Sequence, residues 1–240
     1  MSFEGNIIDA TINSRFLQEE ITMKIYLPEN YSQLYTYQLL IAQDGDDYWK
    51  KGKLPSLASQ LLEEKAINNL IIVMIPYQNI EDRNQKYHPN GSKNNQYIRF
   101  LAEELVAYLE AKFHTFELAS GRTLLGDSLA GTVSLHAAFQ YPYTFGQVIA
   151  QSPYIHDDTM KQLELFEKTE QLRLYHVIGD KETQVETSKG KNKDFLSSNR
   201  EFHKLSQEKG IDVFYDEFNG EHTWAYWQKD LKRALTLMLS

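Results

Sequence analysis

Cysteine is absent from the 240 residues, which excludes disulfides, thiolate metal centres and a cysteine nucleophile together. Proline is sparse, six residues in all, and no Pro- or Gly-rich stretch separates one part of the chain from another. With no internal repeat either, the chain reads as one domain over 1–240, long enough for one substantial core. No apolar run approaches the roughly 20 residues of a bilayer-spanning helix, so no membrane partner is expected. The opening MSFEGNIIDATINS lacks a basic stretch followed by an apolar one and does not resemble a signal peptide; a cytoplasmic protein is the expectation. Positive charge is also in deficit: 25 Lys and Arg against 33 Asp and Glu leave a net charge of −8, the wrong sign for a nucleic-acid partner. The short basic run KGKNK at 189–193 reads as a solvated turn. Oligomeric state is left open.

What is present is alternation. Hydrophobic residues make up 42% of the chain, in short apolar runs bounded by turn residues, with helical patterns between them. Strands are expected at 3–12, 20–27, 37–43, 70–75, 122–127, 146–151, 172–178 and 213–218. The middle runs are continuously apolar, as in parallel strands covered on both faces. Helices are expected at 54–65, 96–113, 128–141, 195–210 and 226–239. In 96–113, Ile98, Leu101, Leu105 and Leu109 fall on one stripe. The first two strands have no helix between them and should form an antiparallel edge. The fold class is therefore α/β, a mostly parallel eight-stranded sheet with helices on both faces. Such sheets bind ligands beyond the carboxyl ends of their strands.

Ser128 lies at such an end, between the strand RTLLGD and the pattern SLAGTVSLHAAFQY. A serine there is commonly an N-cap. It also fits a nucleophile elbow, a tight strand-to-helix turn that lifts a hydroxyl clear of the sheet. Gly126 holds the small position two before it; the one two after is Ala130, with glycine delayed to Gly131. A serine hydroxyl needs a base to take its proton. Of the seven histidines, His136, His176 and His203 fall inside helices or a strand and read as packing or surface residues, while His114 and His156 sit near helix ends and read as solvated. His88 lies in the polar loop EDRNQKYHPNGSKNNQ, in reach of a substrate at most. His222, in EFNGEHTWAYW between the last strand and the last helix, completes the chain order Ser, acid, His. The acid that orients it is Asp180 or Glu182, in GDKETQ at the end of LRLYHVI.

An oxyanion hole needs two N–H donors. The amide of Leu129 is one candidate; Gly45 or Asp46, in DGDDYW after the third strand, is the other. DGDD could instead hold a cation, but its spacing is not that of a Ca²⁺ loop and no H-E-x-x-H occurs, so neither metal nor other cofactor is expected. Arg83, Tyr87, Tyr154, Trp49 and Trp224 are the candidate substrate-binding residues, drawn from the polar loop 77–97, the segment 153–170 and the aromatic clusters.

Taken together, ITMKIYLPENY, LLIAQDGDDYW, LLGDSLAGTVSLHAAFQYPYTFGQVIAQSP, VIGDKET and GEHTWAYWQKDL resemble the putative-esterase family of α/β-hydrolases. That family includes S-formylglutathione hydrolases, feruloyl and acetyl esterases, and enterochelin (siderophore trilactone) esterases. The resemblance implies Ser128 as nucleophile and His222 as base. It favours Glu182 over Asp180, because the family's acid follows G-x-x after the seventh strand. It departs at Ala130, where the family has a second glycine. The DG after the third strand is closer to the siderophore-esterase branch than the HG of many relatives. The implied activity is hydrolysis of a small carboxylic ester through an acyl-enzyme. Acyl transfer to another alcohol, or a binding module that keeps only the fold, are the alternatives.

Overall fold

Five short buried runs become the middle of a sheet because both of their faces are covered. The computed structural model describes residues 5–187, 190 and 192–240. In it β3 (Gln38–Ala42), β4 (Leu70–Met74), β5 (Arg122–Asp127), β6 (Gln147–Gln151) and β7 (Arg173–Gly179) are buried along almost their whole length. β1 (Asn6–Ser14) and β2 (Glu19–Leu27) form an antiparallel pair, Asn6 opposite Leu27 and Ser14 opposite Glu19. Strand 1 was expected at 3–12; residues 3 and 4 lie outside the described ones. A short hairpin, β8 (Val185–Glu186) with β9 (Asn192–Lys193), stands apart from the sheet, and β10 (Asp212–Phe218) closes it.

The order is β1-β2-β4-β3-β5-β6-β7-β10. β2 runs antiparallel to both of its neighbours, and every pair from β4 to β10 is parallel. From β3 the chain crosses to β4 on one side, then returns to β5 on the other. The carboxyl ends of β3 and β5 are therefore the switch point, where diverging loops leave a crevice.

The helices cover both faces. α2 (Leu54–Glu63) and α9 (Trp224–Leu239) pack Leu61, Leu231 and Leu235 against Leu40, Ile72 and Val177 on one side. α6 (Ser128–Gln140), α7 (Asp157–Leu165) and α8 (Phe195–Glu208) contribute Val133, Leu163 and Phe202 to the other. Each fully buried side chain of this size contributes about 1.5–3 kcal/mol relative to exposure.

Two differences from the sequence pattern matter. The helix expected over 96–113 is α4 (Asn94–Arg99), a π-helical turn Phe100–Leu105, and α5 (Val106–Lys112). The wide turn lies where Glu104 is buried, accepting Ser14 Oγ at 2.6 Å and Arg15 N at 3.0 Å. The second difference is three short helices that the apolar pattern does not announce: α1 (Gly45–Lys50), α3 (Ile80–Tyr87) and α7. α3 is highly polar, so its signals are caps and charges. Asn79 accepts Asp82 N at 2.9 Å, and the buried Lys86 pairs with Asp82 at 2.8 Å and also with Glu19.

Candidate active site

From residue 121 to 139 every residue is buried except Ser128. That exposure follows from the turn. Ser128 has φ 51°, a left-handed backbone that non-glycine residues adopt only under constraint. Gly126 makes the turn feasible: a Cβ there would lie 2.4 Å from the carbonyl oxygen of Ala130 in the first turn of α6. Ala130, the departure from the usual glycine, is itself accommodated with no exposure. Ser128 also begins α6, so the Leu129 amide has no intrahelical acceptor and the positive end of the helix dipole faces outward.

Ser128 and His222 line the same cavity, of about 470 Å³. The His222 Nδ1 lies 2.5 Å from Oε2 of Glu182, whose side chain is fully buried. A carboxylate can only accept, so Nδ1 carries the hydrogen and Nε2 of the neutral ring is left with its lone pair. Phe195 and Trp227 stand edge-on to the imidazole, with centroids at 4.7 and 4.8 Å. Of the two candidate acids, then, Glu182 is the one that reaches His222. Asp180 does something else: its Oδ1 accepts the Gly220 amide at 3.0 Å.

Several expected site residues are placed elsewhere. The Gly45 amide donates to Ile75 O at 2.8 Å, and a Cβ on Gly45 would lie 2.4 Å from Ile75 N; the glycine passes the end of β4 and has no donor to spare. Asp46 differs from Gly45 in keeping a candidate donor, because it is the second residue of α1, where an amide has no intrahelical acceptor. Its carboxylate pairs with Lys50 at 2.6 Å, as Asp47 pairs with Lys51 at 2.9 Å. Tyr87 is buried outside the cavity wall, its hydroxyl accepting Asp44 N at 3.4 Å. Trp49 lies under the Lys24 ammonium, 4.9 Å from the ring centre, and Trp224 packs edge-on to Tyr48 at 4.8 Å; neither lines the cavity.

Arg83 and Tyr154 do line it, with His88, His156, Asp127 and Trp227. His156 corrects the expectation of a solvated histidine: it sits 5.3 Å from His88 and 5.9 Å from Tyr154, ring to ring. Lys193 is exposed, as the solvated reading of 189–193 expects, and it also lines the cavity. Its ammonium contacts the Tyr154 hydroxyl and lies 4.5 Å over that ring; Lys189 and Lys191 lie outside the described residues. Asp127, next to the serine, carried a signal that was there to be read, since acids are rare in such a buried run.

Two carboxylates and one guanidinium meet at the cavity floor. Arg83 Nε lies 2.9 Å from both oxygens of Asp44, and Nη2 lies 2.6 Å from Oδ2. That bidentate pair commits Arg83 to Asp44, so its charge reaches Asp127 only at longer range, and among the described residues the Oδ1 of Asp127 has no hydrogen-bond partner. Burial, and then the nearby charge of Asp44, push the Asp127 carboxyl up to about 8.

A model of the family described as Putative esterase matches residues 14–238. The chain belongs to this esterase family. Among relatives of the esterase, the uncharacterized protein YjcH of Bacillus subtilis strain 168 is 41% identical over 235 residues, 98% of each chain. A ferulic acid esterase superposes with a TM-score of 0.80 at 18% identity, covering 99% of this chain and 98% of that one. The enterochelin esterase of Shigella flexneri gives 0.82 at 16% identity, and the match takes in 97% of this chain but only 57% of that one. S-formylglutathione hydrolase (FrmB) of Staphylococcus aureus gives 0.75 at 14% identity, covering 99% and 100%. At these identities the structures establish a shared α/β-hydrolase fold, and the family match makes the chain a carboxylic ester hydrolase. Among the described residues of the esterase, no helix is long and apolar enough to cross a membrane.

Proposed function

We propose that the esterase works by two-step acyl transfer with Ser128, His222 and Glu182 as its triad. The observation that carries this reading is the bond from His222 Nδ1 to Glu182 Oε2 in the wall of the cavity that Ser128 enters. Nε2 of His222 takes the Ser128 proton as Oγ attacks the ester carbonyl. The tetrahedral oxyanion receives the Leu129 amide at the start of α6 and the Asp46 amide at the start of α1, two helix N-termini that favour negative charge. Collapse expels the alcohol, which takes the proton from Nε2. Water then repeats the sequence on the acyl-enzyme, releasing the acid and restoring Ser128. Glu182 holds the ring in the required tautomer and stabilises its charged form.

The substrate in this reading is a small to medium ester, of the siderophore or short-acyl type. A cavity of about 470 Å³ with Arg83, His88, Tyr154, His156 and Lys193 in or on its wall suits an acyl group bearing polar substituents. Names among the structural relatives, enterochelin esterase and ferulic acid esterase, support the same range. The test is hydrolysis of a panel of esters, from p-nitrophenyl acetate to feruloyl and catecholate trilactone esters. Ser128→Ala should lower every rate by about four orders of magnitude or more; a variant as active as the parent would refute the triad.

A further inference from the structure

An orienting carboxylate is useful only if it cannot turn away, and glutamate has three rotatable bonds to lose. Oε2 of Glu182 serves His222. Its other oxygen, Oε1, accepts the Gly179 amide at 2.9 Å and the hydroxyl of Ser152 at 2.6 Å. Ser152 is fully buried, one residue beyond β6, and is not part of the cavity wall. Its hydroxyl also receives the indole N–H of Trp227 at 3.0 Å.

The proton count gives this chain a direction. An indole N–H only donates and a carboxylate only accepts. The Ser152 oxygen must therefore accept from Trp227, and its single proton must point to Glu182. Ser152 does this from φ 47°, a left-handed backbone that glycine would take more easily. A strained, buried serine with both hydrogen-bonding functions used is the kind of outlier that points to a role.

We propose that Ser152 is a positioning residue of the esterase, acting on His222 through Glu182, with the Trp227 N–H fixing the direction of its hydroxyl. The proposal rests on the triad reading above. Trp227 serves twice, since the ring that supplies the N–H also stands edge-on to the imidazole, at 87° between planes. Without the Ser152 hydroxyl, Glu182 keeps one donor on Oε1 and gains freedom to rotate, and the imidazole loses its fixed orientation in the step where it becomes charged.

The experiment measures kcat and KM on p-nitrophenyl acetate for Ser152→Ala and Ser152→Gly, together with the low-field proton resonance of the His222 Nδ1–H. Glycine suits the backbone angle and so separates loss of the hydroxyl from backbone strain. Because Ser152 is buried outside the cavity wall, kcat should fall about ten- to a hundredfold, the cost of one hydrogen bond to a charged group, with KM within about twofold. The low-field resonance should shift or broaden. If neither variant folds, Trp227→Phe keeps an aromatic ring and removes the N–H, and a lowered kcat with a displaced resonance is expected. Unchanged kcat and resonance in a folded variant would overturn the proposal. Ser128→Ala, run alongside, tells the two failures apart: if it hydrolyses as fast as the parent, the triad reading has failed, and if it is inert while Ser152→Gly is fully active, only the role of Ser152 has.

Discussion

The carboxylate of Asp180 accepts the amide of Gly220 at 3.0 Å, and so ties the turn that carries Glu182 to the loop that carries His222. Two backbone bonds reinforce the tie: Asp180 N to Phe218 O at 2.9 Å and Lys181 N to Gly220 O at 3.1 Å. The two acids left open by the sequence thus divide the work, Asp180 joining the loops and Glu182 meeting the imidazole. Asp180→Ala should cost about 1–2 kcal/mol of stability and about tenfold or less in kcat/KM, whereas Glu182→Ala should cost at least a hundredfold in kcat/KM. Steady-state kinetics and urea titration on both variants check the division.

Arg83, half-buried in the cavity wall, is held by the buried carboxylate of Asp44. Removing one partner strands the other. Arg83→Met should destabilise the fold by about 3–5 kcal/mol, and the double variant Asp44→Asn/Arg83→Met should recover part of that loss. Denaturation midpoints of the two singles and the double provide the measurement.

Asp127 makes stability depend on pH in the unusual direction for an acid. Its folded value, pushed up to about 8 by burial and Asp44, lies far above the 3.8 of a free carboxyl. Between those values the folded chain keeps a proton that the unfolded chain releases, so this contribution is present below about pH 4 and is lost as pH rises through about 8. Asp127→Asn, neutral at every pH, should match the parent near pH 4 and exceed it by about 1–3 kcal/mol at pH 9. Chemical denaturation across that range follows the crossover.

Two histidines work in the opposite sense. His136, bonded to Thr159 Oγ1 at 2.8 Å, and His176, bonded to Asn199 Oδ1 at 2.7 Å, are both pushed down to about 4 by burial, from 6.5. Their contribution is complete above about pH 6.5 and is lost as pH falls towards 4, because the unfolded chain takes up protons that the folded one refuses. Together they should give a slope on the order of 2 kcal/mol per pH unit near pH 5. His176→Gln, which retains a donor for Asn199, should roughly halve it.

The parallel strands were legible because β4 is continuously apolar and β3 nearly so, with no competing helical period. The strand-to-helix turn at Ser128 was legible too, since the buried run RTLLGD passes directly into a helical pattern. α3 was not, since its stability comes from the Asn79 cap and from Lys86, charges that look like loop residues until their partners arrive from Glu19, far earlier in the chain. The cavity wall was only half legible. His156 and Lys193 join Tyr154 through ring contacts between segments whose meeting no local pattern specifies. Gly45 misled for a related reason: a glycine marks a close approach but does not say whether the neighbour is a ligand or, as here, the end of β4.

The most direct test is to treat the esterase with a fluorophosphonate and locate the adduct by peptide mass spectrometry. Only a hydroxyl whose proton has a base to go to reacts quickly. A single phosphonyl group on Ser128, appearing in step with the loss of p-nitrophenyl acetate hydrolysis and slowed at least a hundredfold in His222→Ala, is the expected result. Labelling of a different residue, or full hydrolysis by a chain quantitatively modified at Ser128, would contradict the mechanism.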